Sequence, residues 1–197
     1  MKKIAFFDFD GTITTKDTLL EVIKHQKGKV AFYTGLLLNA PVLAGLKLKL
    51  VSNQAAKERI LRHFFKRMLL TDFQQACDNF IDETLPAILR PGALEEMKRL
   101  KASGFEIVVV SASPENWIKK WADANGIGLI ATKLQLSGDK LTGYIDGTNN
   151  NAEEKAARIR AEFDLSEYDE IYCYGDSGGD KAMLALATKA FYKPFRQ

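Results

Sequence analysis

Three apolar segments, each followed at once by polar residues, constrain the fold of this chain more than any other feature. The segments are KIAFFDF near the N-terminus, FEIVVVSAS in the middle and EIYCYGD near the C-terminus. Their β-branched and aromatic residues predict buried strands. The polar residues that follow are DFDGT, SAS and GDSGGD. Because the carboxyl ends of parallel strands lie at one edge of a sheet, these polar residues are predicted to meet there.

Helical patterns alternate with the strands in the second half of the chain. The helix ALEEMKRLKAS precedes the second strand, AEEKAARIRAEF precedes the third, and DKAMLALAT follows it. Such alternation is typical of βαβ units. A Ser-Gly-Asp turn inside IATKLQLSGDKLTGYIDG predicts a small hairpin. We predict an α/β fold with a Rossmann-like, three-layer core around a parallel sheet.

The stretch from residue 16 to residue 87 has a helical pattern and no convincing strand. A chain of 197 residues is long enough for one core and a smaller insertion. We therefore assign the core domain to residues 1–15 and 88–197. Residues 16–87 are predicted to form an inserted all-helical unit.

Charge and composition exclude several classes of protein. A net charge of +3 with scattered basic residues argues against nucleic-acid binding. The start MKKIAFF imitates a secretory signal, but Asp8 and Asp10 end the apolar run too early, and we expect a cytoplasmic location. Cys77 and Cys173 have no metal-ligand spacing, so buried free thiols are expected.

The predicted sheet edge gathers an unusual number of carboxylates. It would bring together Asp8, Asp10, Ser111, Asp176 and Asp180. Four carboxylates in one crevice raise one another's pKa values and destabilise the fold unless a cation shares the site. Oxygen-only ligands suit magnesium. The sequence therefore predicts a site for Mg²⁺.

Two further residues indicate that the ligand is a phosphate. Gly11 allows the backbone to approach a ligand closely. Lys155 lies in the first turn of a predicted helix, where the helix dipole disfavours a positive charge unless an anion is near. Magnesium, an ammonium, a hydroxyl and backbone N–H groups form the receptor that phosphoryl transfer requires.

In this order the motifs DFDGT, Ser111, Lys155 and GDSGGD resemble those of the haloacid dehalogenase-like (HAD) hydrolase superfamily, and they span residues 8 to 180. The helical insertion resembles the C1-type cap of subfamily IB, which includes the phosphoserine phosphatases. The resemblance implies a magnesium-dependent phosphomonoester hydrolase that acts through an aspartyl phosphate. The roles it implies are a nucleophile (Asp8), a general acid and base (Asp10), phosphate binders (Ser111, Lys155, Gly11, Thr12) and metal ligands (Asp8, Asp10, Asp176, Asp180).

The substrate stays open at this point. In phosphoserine phosphatases, a glutamate nine residues after the nucleophile holds the substrate amine and a cap arginine holds its carboxylate. The corresponding candidates here are Asp17 and Arg59, although Asp17 is interpreted first as the N-cap of the helix TLLEVI. Ala112 replaces the usual glycine, Gly179 replaces the usual asparagine, and Ser113 is interpreted as an N-cap. The departures at Ala112 and Gly179 count against phosphoserine as the substrate, whereas the phosphatase chemistry does not depend on these positions.

Residues 30–51 are more apolar than a small cap requires for its own core. The favoured interpretation is a packed helical hairpin. The alternative is peripheral contact with a membrane, with Lys47 and Lys49 toward anionic head groups. The layout also resembles bacterial phosphatidylglycerophosphate phosphatases, so the predicted substrate is a small phosphorylated metabolite or a lipid phosphate. A phosphotransferase or phosphomutase would use the same site, whereas Asp10 argues against a dehalogenase.

Overall fold

The computed structural model describes residues 2–196 and contains a five-stranded parallel sheet with the strand order β3-β2-β1-β6-β7. A separate antiparallel hairpin consists of β4 and β5. The strands are β1 (Lys2–Phe7), β2 (Phe105–Pro114), β3 (Gly128–Thr132), β4 (Leu134–Ser137), β5 (Lys140–Ile145), β6 (Tyr168–Gly175) and β7 (Lys189–Tyr192). The α/β fold predicted from the sequence is confirmed.

Eight α-helices accompany the strands in the described part of the chain. Five of them lie between β1 and β2, and the fifth leads directly into β2. The helices are α1 (Thr18–Leu38), α2 (Ala40–Lys47), α3 (Asn53–Phe65), α4 (Leu70–Glu83), α5 (Pro91–Ala102), α6 (Lys119–Ala124), α7 (Glu153–Glu162) and α8 (Lys181–Leu184). The chain from α1 to α4 is therefore helical, as its sequence pattern indicates.

β1 lies at the centre of the sheet because its side chains are apolar on both faces. Alternate residues of a strand point to opposite faces. Ile4 and Phe6 belong to the apolar cluster that α7 and α8 cover, and Ala5 and Phe7 belong to the cluster that α5 and α6 cover. All four residues are completely buried. The sheet is thus the middle of three layers.

The strand order places a crevice at the end of β1. Phe7 is in register with Val109 of β2 on one side and with Tyr174 of β6 on the other. The chain fills the β2 side first and then crosses to the β6 side. Parallel sheets bind ligands where their connections diverge in this way, beyond the carboxyl ends of the strands. The residue at that point is Asp8.

Two glycines and one asparagine shape the helices that follow β1. α1 is interrupted at Gly28, which has a φ of 79°. α1 and α2 meet at 62°, at Asn39, whose side-chain N–H donates to the Gly35 carbonyl at 2.8 Å. A Cβ on Gly35 would lie 2.2 Å from the tip of the Phe64 ring, so a larger residue would displace this ring from its contact with α1. Among residues 2–196 no single helix is long and apolar enough to cross a membrane, although α1 and α2 pass that test as a bent pair.

The hairpin β4–β5 packs on α3. A Cβ on Gly143 would lie 2.6 Å from the Cα atom of Arg62, which shows how closely β5 approaches the helix. The Arg67 amide donates to the Leu141 carbonyl at 2.8 Å. The helices after β1 are therefore held by a second segment of the chain, the one that leads into α7.

Candidate active site

Asp8 continues β1 into the crevice and is held there by three contacts. Its amide donates to the Tyr174 carbonyl at 2.9 Å, which extends the ladder between β1 and β6 by one residue. Thr12 Oγ1 donates to one carboxylate oxygen at 3.2 Å, and Lys155 Nζ donates to the other at 2.5 Å. Because Asp8 is only 6% exposed, its carboxylate has one fixed orientation at the base of the cavity.

Lys155, in the first turn of α7, is a buried cation with two carboxylate partners. Its Nζ atom donates to Asp8 Oδ1 at 2.5 Å and to Asp180 Oδ1 at 2.7 Å. Burial alone would lower the pKa of the ammonium, but the two carboxylates outweigh it and raise the pKa above its ordinary value. Lys155 is therefore charged across the neutral pH range.

The negative charge of this cluster exceeds what Lys155 balances. Burial, with a smaller contribution from the Asp180 carboxylate, raises the pKa of Asp8 to about 7 even though Lys155 opposes the shift. Burial and Asp180 also raise the pKa of Asp176. A positive charge placed between these groups would favour their ionised forms. The electrostatics of the cluster thus favour an additional cation.

The same carboxylates form a donor set that fits a divalent metal ion. One oxygen each from Asp8, Asp176 and Asp180 lies within 4.8 Å of the other two, and oxygen ligands are those that Mg²⁺ prefers. Asp180 Oδ2 accepts hydrogen bonds from the amides of Asp176 and Ser177 at 3.1 and 2.9 Å, which fixes this loop. Asp176 also forms an ion pair with Arg196.

Two glycines allow the loops of the site to approach each other. Gly11 has a φ of +84°, and a Cβ at this position would lie 2.5 Å from Asp176 Oδ2. A Cβ on Gly179 would lie 2.2 Å from Asn151 Oδ1. Packing therefore explains the glycine at position 179, because Asn151 occupies the space that a side chain at this position would need.

Asp10 lines the cavity, but its side chain is not part of the acidic cluster found among residues 2–196. Its Oδ1 atom accepts from the Thr18 amide at 2.6 Å, and its Oδ2 atom accepts from Ser113 Oγ at 2.7 Å. The interpretation of Ser113 as an N-cap is wrong. β2 continues to Pro114, and the Ser113 hydroxyl orients Asp10 instead.

Ser111 and Thr12 lie beneath the cavity. They are 0% and 1% exposed, respectively. Ser111 Oγ accepts from the Ser113 amide at 3.0 Å, and the Ser111 carbonyl accepts from Asn150 Nδ2 at 3.0 Å. Above Ser111 the wall of the cavity includes Ala112 and Ser113. Ser111 is thus close to the site but is engaged with its own loop.

Asp17 has two functions in the structure. It is the N-cap of α1, where its side chain accepts from the Leu20 amide at 3.2 Å, and this prediction is confirmed. It also lines the cavity. Desolvation within the cavity and then repulsion by Asp10 raise its pKa to about 6. A cation or a hydrogen-bond donor bound nearby would lower that value.

Arg59 does not line the cavity; its Nε atom donates to Asn39 Oδ1 at 2.9 Å. The cation that α3 directs at the site is Lys57, which was not among the sequence-predicted residues. Lys57 Nζ donates to the Ala112 carbonyl at 2.8 Å and to Asn149 Oδ1 at 2.9 Å. Burial lowers the pKa of Lys57 to about 8.

Asn53 also lines the cavity without having been predicted from the sequence. The sequence could have indicated Asn53 and Lys57 through their spacing, because residues four apart share one face of a helix. Arg196 gave no such signal, since it does not lie in a regular element. The complete cavity has a volume of about 370 Å³.

Fold and site together define an α/β enzyme whose crevice, at the carboxyl ends of parallel strands, combines a buried aspartate and lysine with oxygen donors for a divalent cation. Sequence comparison identifies the family. Residues 5–185 match the haloacid dehalogenase-like hydrolases, and the chain belongs to this family. It is therefore a hydrolase, and its relatives and structural neighbours include phosphatases.

Relatives match nearly the whole chain. Protein CicA of Caulobacter vibrioides is 32% identical over 195 residues, which cover 98% of this chain and 86% of CicA. A phosphoserine phosphatase of Methanocaldococcus jannaschii is 24% identical, with coverage of 94% and 82%. The solved structure of a protein of unknown function from Bordetella pertussis has a TM-score of 0.81 at 21% identity, with coverage of 96% and 89%. A substrate-bound phosphoserine phosphatase has a TM-score of 0.72 at 18% identity, with coverage of 98% and 86%. These structures have the same fold as this chain.

Proposed function

We propose that this chain is a magnesium-dependent phosphatase that hydrolyses a phosphomonoester through an aspartyl phosphate on Asp8. The main support is the fixed Asp8 carboxylate at the base of the cavity, bonded to Lys155 at 2.5 Å and close to two further carboxylates. The core, residues 1–15 and 88–197, supplies the chemistry. The helical unit, residues 16–87, covers the cavity as a cap and selects the substrate.

In the first step, an Asp8 oxygen attacks the phosphorus atom. A bond forms between that oxygen and phosphorus while the bond from phosphorus to the leaving oxygen breaks. Asp10, protonated for this step, gives its proton to the leaving oxygen. Ser113 and the Thr18 amide hold the Asp10 carboxyl in position for this transfer.

In the second step, the Asp10 carboxylate removes a proton from a water molecule, whose oxygen attacks phosphorus. The bond between Asp8 and phosphorus breaks, the Asp8 carboxylate is restored, and inorganic phosphate leaves. Lys155 faces the negative charge throughout. Ser111 binds a phosphate oxygen after exchanging its bond with the loop, and the backbone of Gly11 and Thr12 contributes N–H groups.

The acidic cluster is the proposed magnesium site. Asp8 and Asp176 would hold the ion, and Asp10 and Asp180 would support it directly or through water. When bound, the ion supplies positive charge beside the phosphate oxygens and lowers the pKa of Asp8. Arg196 must release Asp176 for this binding.

The experiment is hydrolysis of an aryl phosphate by the parent and three matched aspartate variants. We expect Asp8→Asn to lose hydrolysis and Asp10→Asn to lose roughly 10²–10⁴-fold in kcat. Asp123→Asn, at an exposed site on α6, is the control and should equal the parent. Hydrolysis by folded Asp8→Asn at the parent rate would overturn the proposal. Chelation should abolish activity, and added Mg²⁺ should restore it.

Two questions about the reaction remain, namely which leaving group the substrate carries and whether water or an alcohol accepts the phosphoryl group. One relative is a phosphoserine phosphatase, and Asp17 and Lys57 are two oppositely charged side chains that also line this cavity. A phosphotransferase would use the same Asp8. Faster transfer of the phosphoryl group to an added alcohol than to water would identify that activity.

A further inference from the structure

A second cavity lies beside the carboxylate cavity and has the opposite character. It has a volume of about 310 Å³; α1 contributes three apolar residues to its wall, and α2 and α3 contribute two each. These residues are Leu19, Leu20, Leu36, Leu43, Leu46, Ala56 and Ile60. All of the leucines except Leu19 are only half-buried. The helices thus leave apolar surface uncovered next to the carboxylate cavity.

The two cavities share part of their walls. Asp17, Leu19, Asn53 and Lys57 line both. A molecule whose phosphate group lies near Asp8 therefore has a short path into the apolar cavity past Lys57. Lys57 adds a positive charge at this boundary, on the path between an anionic head and an apolar tail.

The polar groups at the boundary are already engaged within the protein. Lys57 Nζ donates to the Ala112 carbonyl and to Asn149 Oδ1, and Asp17 accepts from the Leu20 amide. The apolar wall has no such partners. Because buried apolar area is the main source of non-directional binding energy, the apolar wall, more than Asp17 and Lys57, determines which leaving group binds.

We propose that the apolar cavity binds an alkyl or acyl chain on the leaving group, so that the substrate class is an amphiphilic phosphomonoester. This inference rests on the proposed function, because the phosphate must occupy the site at Asp8. An apolar cavity of about 150 Å³ holds benzene, so a cavity of twice that volume holds a correspondingly larger group. The chain leaves solvent at the boundary and packs between α1, α2 and α3.

The test is a series of soluble alkyl phosphates (ethyl, butyl, hexyl and octyl), each used below its aggregation concentration with Mg²⁺ present. We expect kcat/KM to increase with chain length by up to about fourfold per methylene until the cavity is full. An equal kcat/KM for ethyl and octyl phosphate would overturn the inference. A higher kcat/KM for phosphoserine than for octyl phosphate would also overturn it.

Variants of the cavity wall test whether the apolar cavity causes the dependence of kcat/KM on chain length. Ala56→Leu fills it and should reduce the octyl-to-ethyl ratio of kcat/KM, whereas Ala55→Leu adds the same atoms at the neighbouring exposed position and should keep the parent ratio. Leu43→Gln, at a half-buried position, should reduce the ratio without overpacking the core. An unchanged ratio in both cavity variants would overturn the inference. The ratio is measured within each variant, so partial loss of folded protein does not alter it.

The same assay separates this inference from the proposed function. If neither an aryl phosphate nor any alkyl phosphate is hydrolysed, the proposed phosphatase activity fails and the inference fails with it. If the aryl and ethyl esters are hydrolysed but chain length has no effect, only the assignment of the apolar cavity fails.

Discussion

Replacing Lys155 with methionine keeps an apolar stem but removes the shared partner of the Asp8 and Asp180 carboxylates. All three side chains are at most 8% exposed. Removing one partner from a buried ion pair costs about 3–5 kcal/mol, because the charge left behind is uncompensated. For a chain of this length, that loss lowers Tm by roughly 6–20 °C. The effect is expected in metal-free protein, where no other cation compensates.

The destabilisation should depend on pH with a definite sign. Without Lys155, the folded-state pKa of Asp8 rises further above the unfolded value of about 3.9. The pKa of Asp180, which Lys155 helps to hold below its ordinary value in the parent, rises as well. The unfolded state then binds fewer protons, so the free energy of unfolding falls as pH rises from about 4 to 8. This fall should be steeper than in the parent, where burial already raises the pKa of Asp8 to about 7. In the parent, the contribution of Lys155 is lost only above about pH 10.4, because its folded-state pKa is raised.

Urea unfolding of metal-free protein at pH 5 and pH 8 measures both effects. Lys119→Met is the matched control, since Lys119 forms an exposed pair with Asp123 that is worth about 1 kcal/mol or less. We expect Lys155→Met to lose several times more than the control at pH 8 and to recover part of the loss at pH 5. A loss equal to that of the control at both pH values would refute the argument from buried charge.

Three further predictions concern the backbone of the site, the cap cation and residues 30–51. Gly11→Ala should lose most activity because its Cβ would meet Asp176. The control Gly104→Ala, also at positive φ but with nothing within 4 Å of the added Cβ, should keep its activity. Equal activities of the two variants would contradict this reasoning. Burial lowers the pKa of Lys57 to about 8, so KM for an anionic ester should rise above that pH in the parent, and a pH profile of Lys57→Met should lack this rise. The alternative in which residues 30–51 contact a membrane predicts that the protein sediments with anionic vesicles at low salt and is released at high salt, because Lys47 and Lys49 supply the attracting charge beside the exposed apolar residues; failure to sediment with such vesicles would exclude this contact.

The sequence predicted the elements that depend on local pattern. β1 is apolar at every buried position, and the Asp-Gly pair after it marks where the strand ends, so Asp8 could be located without a structure. The parallel arrangement followed from the alternation of helices and strands. Asp17 was identified as an N-cap because it directly precedes an apolar helical run.

Other features depend on how the helices after β1 are placed relative to the sheet. Arg59 and Lys57 are two residues apart on one helix, and only the orientation of α3 decides that Lys57 lines the cavity. Ser113 looked like a cap because proline follows it, but pairing with β3 extends β2 through Pro114. Arg196 lies in the C-terminal tail, where no pattern indicates a contact with Asp176. The apolar cavity could not be predicted from the sequence for the same reason, since it depends on how three helices pack against one another.

The measurement that tests the central claim most directly is a rapid-mixing experiment with Asp10→Asn and an aryl phosphate. The aryl leaving group departs without a proton from residue 10, so Asp8 can still be phosphorylated, whereas hydrolysis of the intermediate needs the Asp10 carboxylate. We predict a burst of one aryl alcohol per active site, followed by slow turnover, and mass spectrometry of the acid-quenched protein should find phosphate on the peptide that contains Asp8. Turnover without a burst, or phosphate on a peptide that lacks Asp8, would contradict the proposed mechanism.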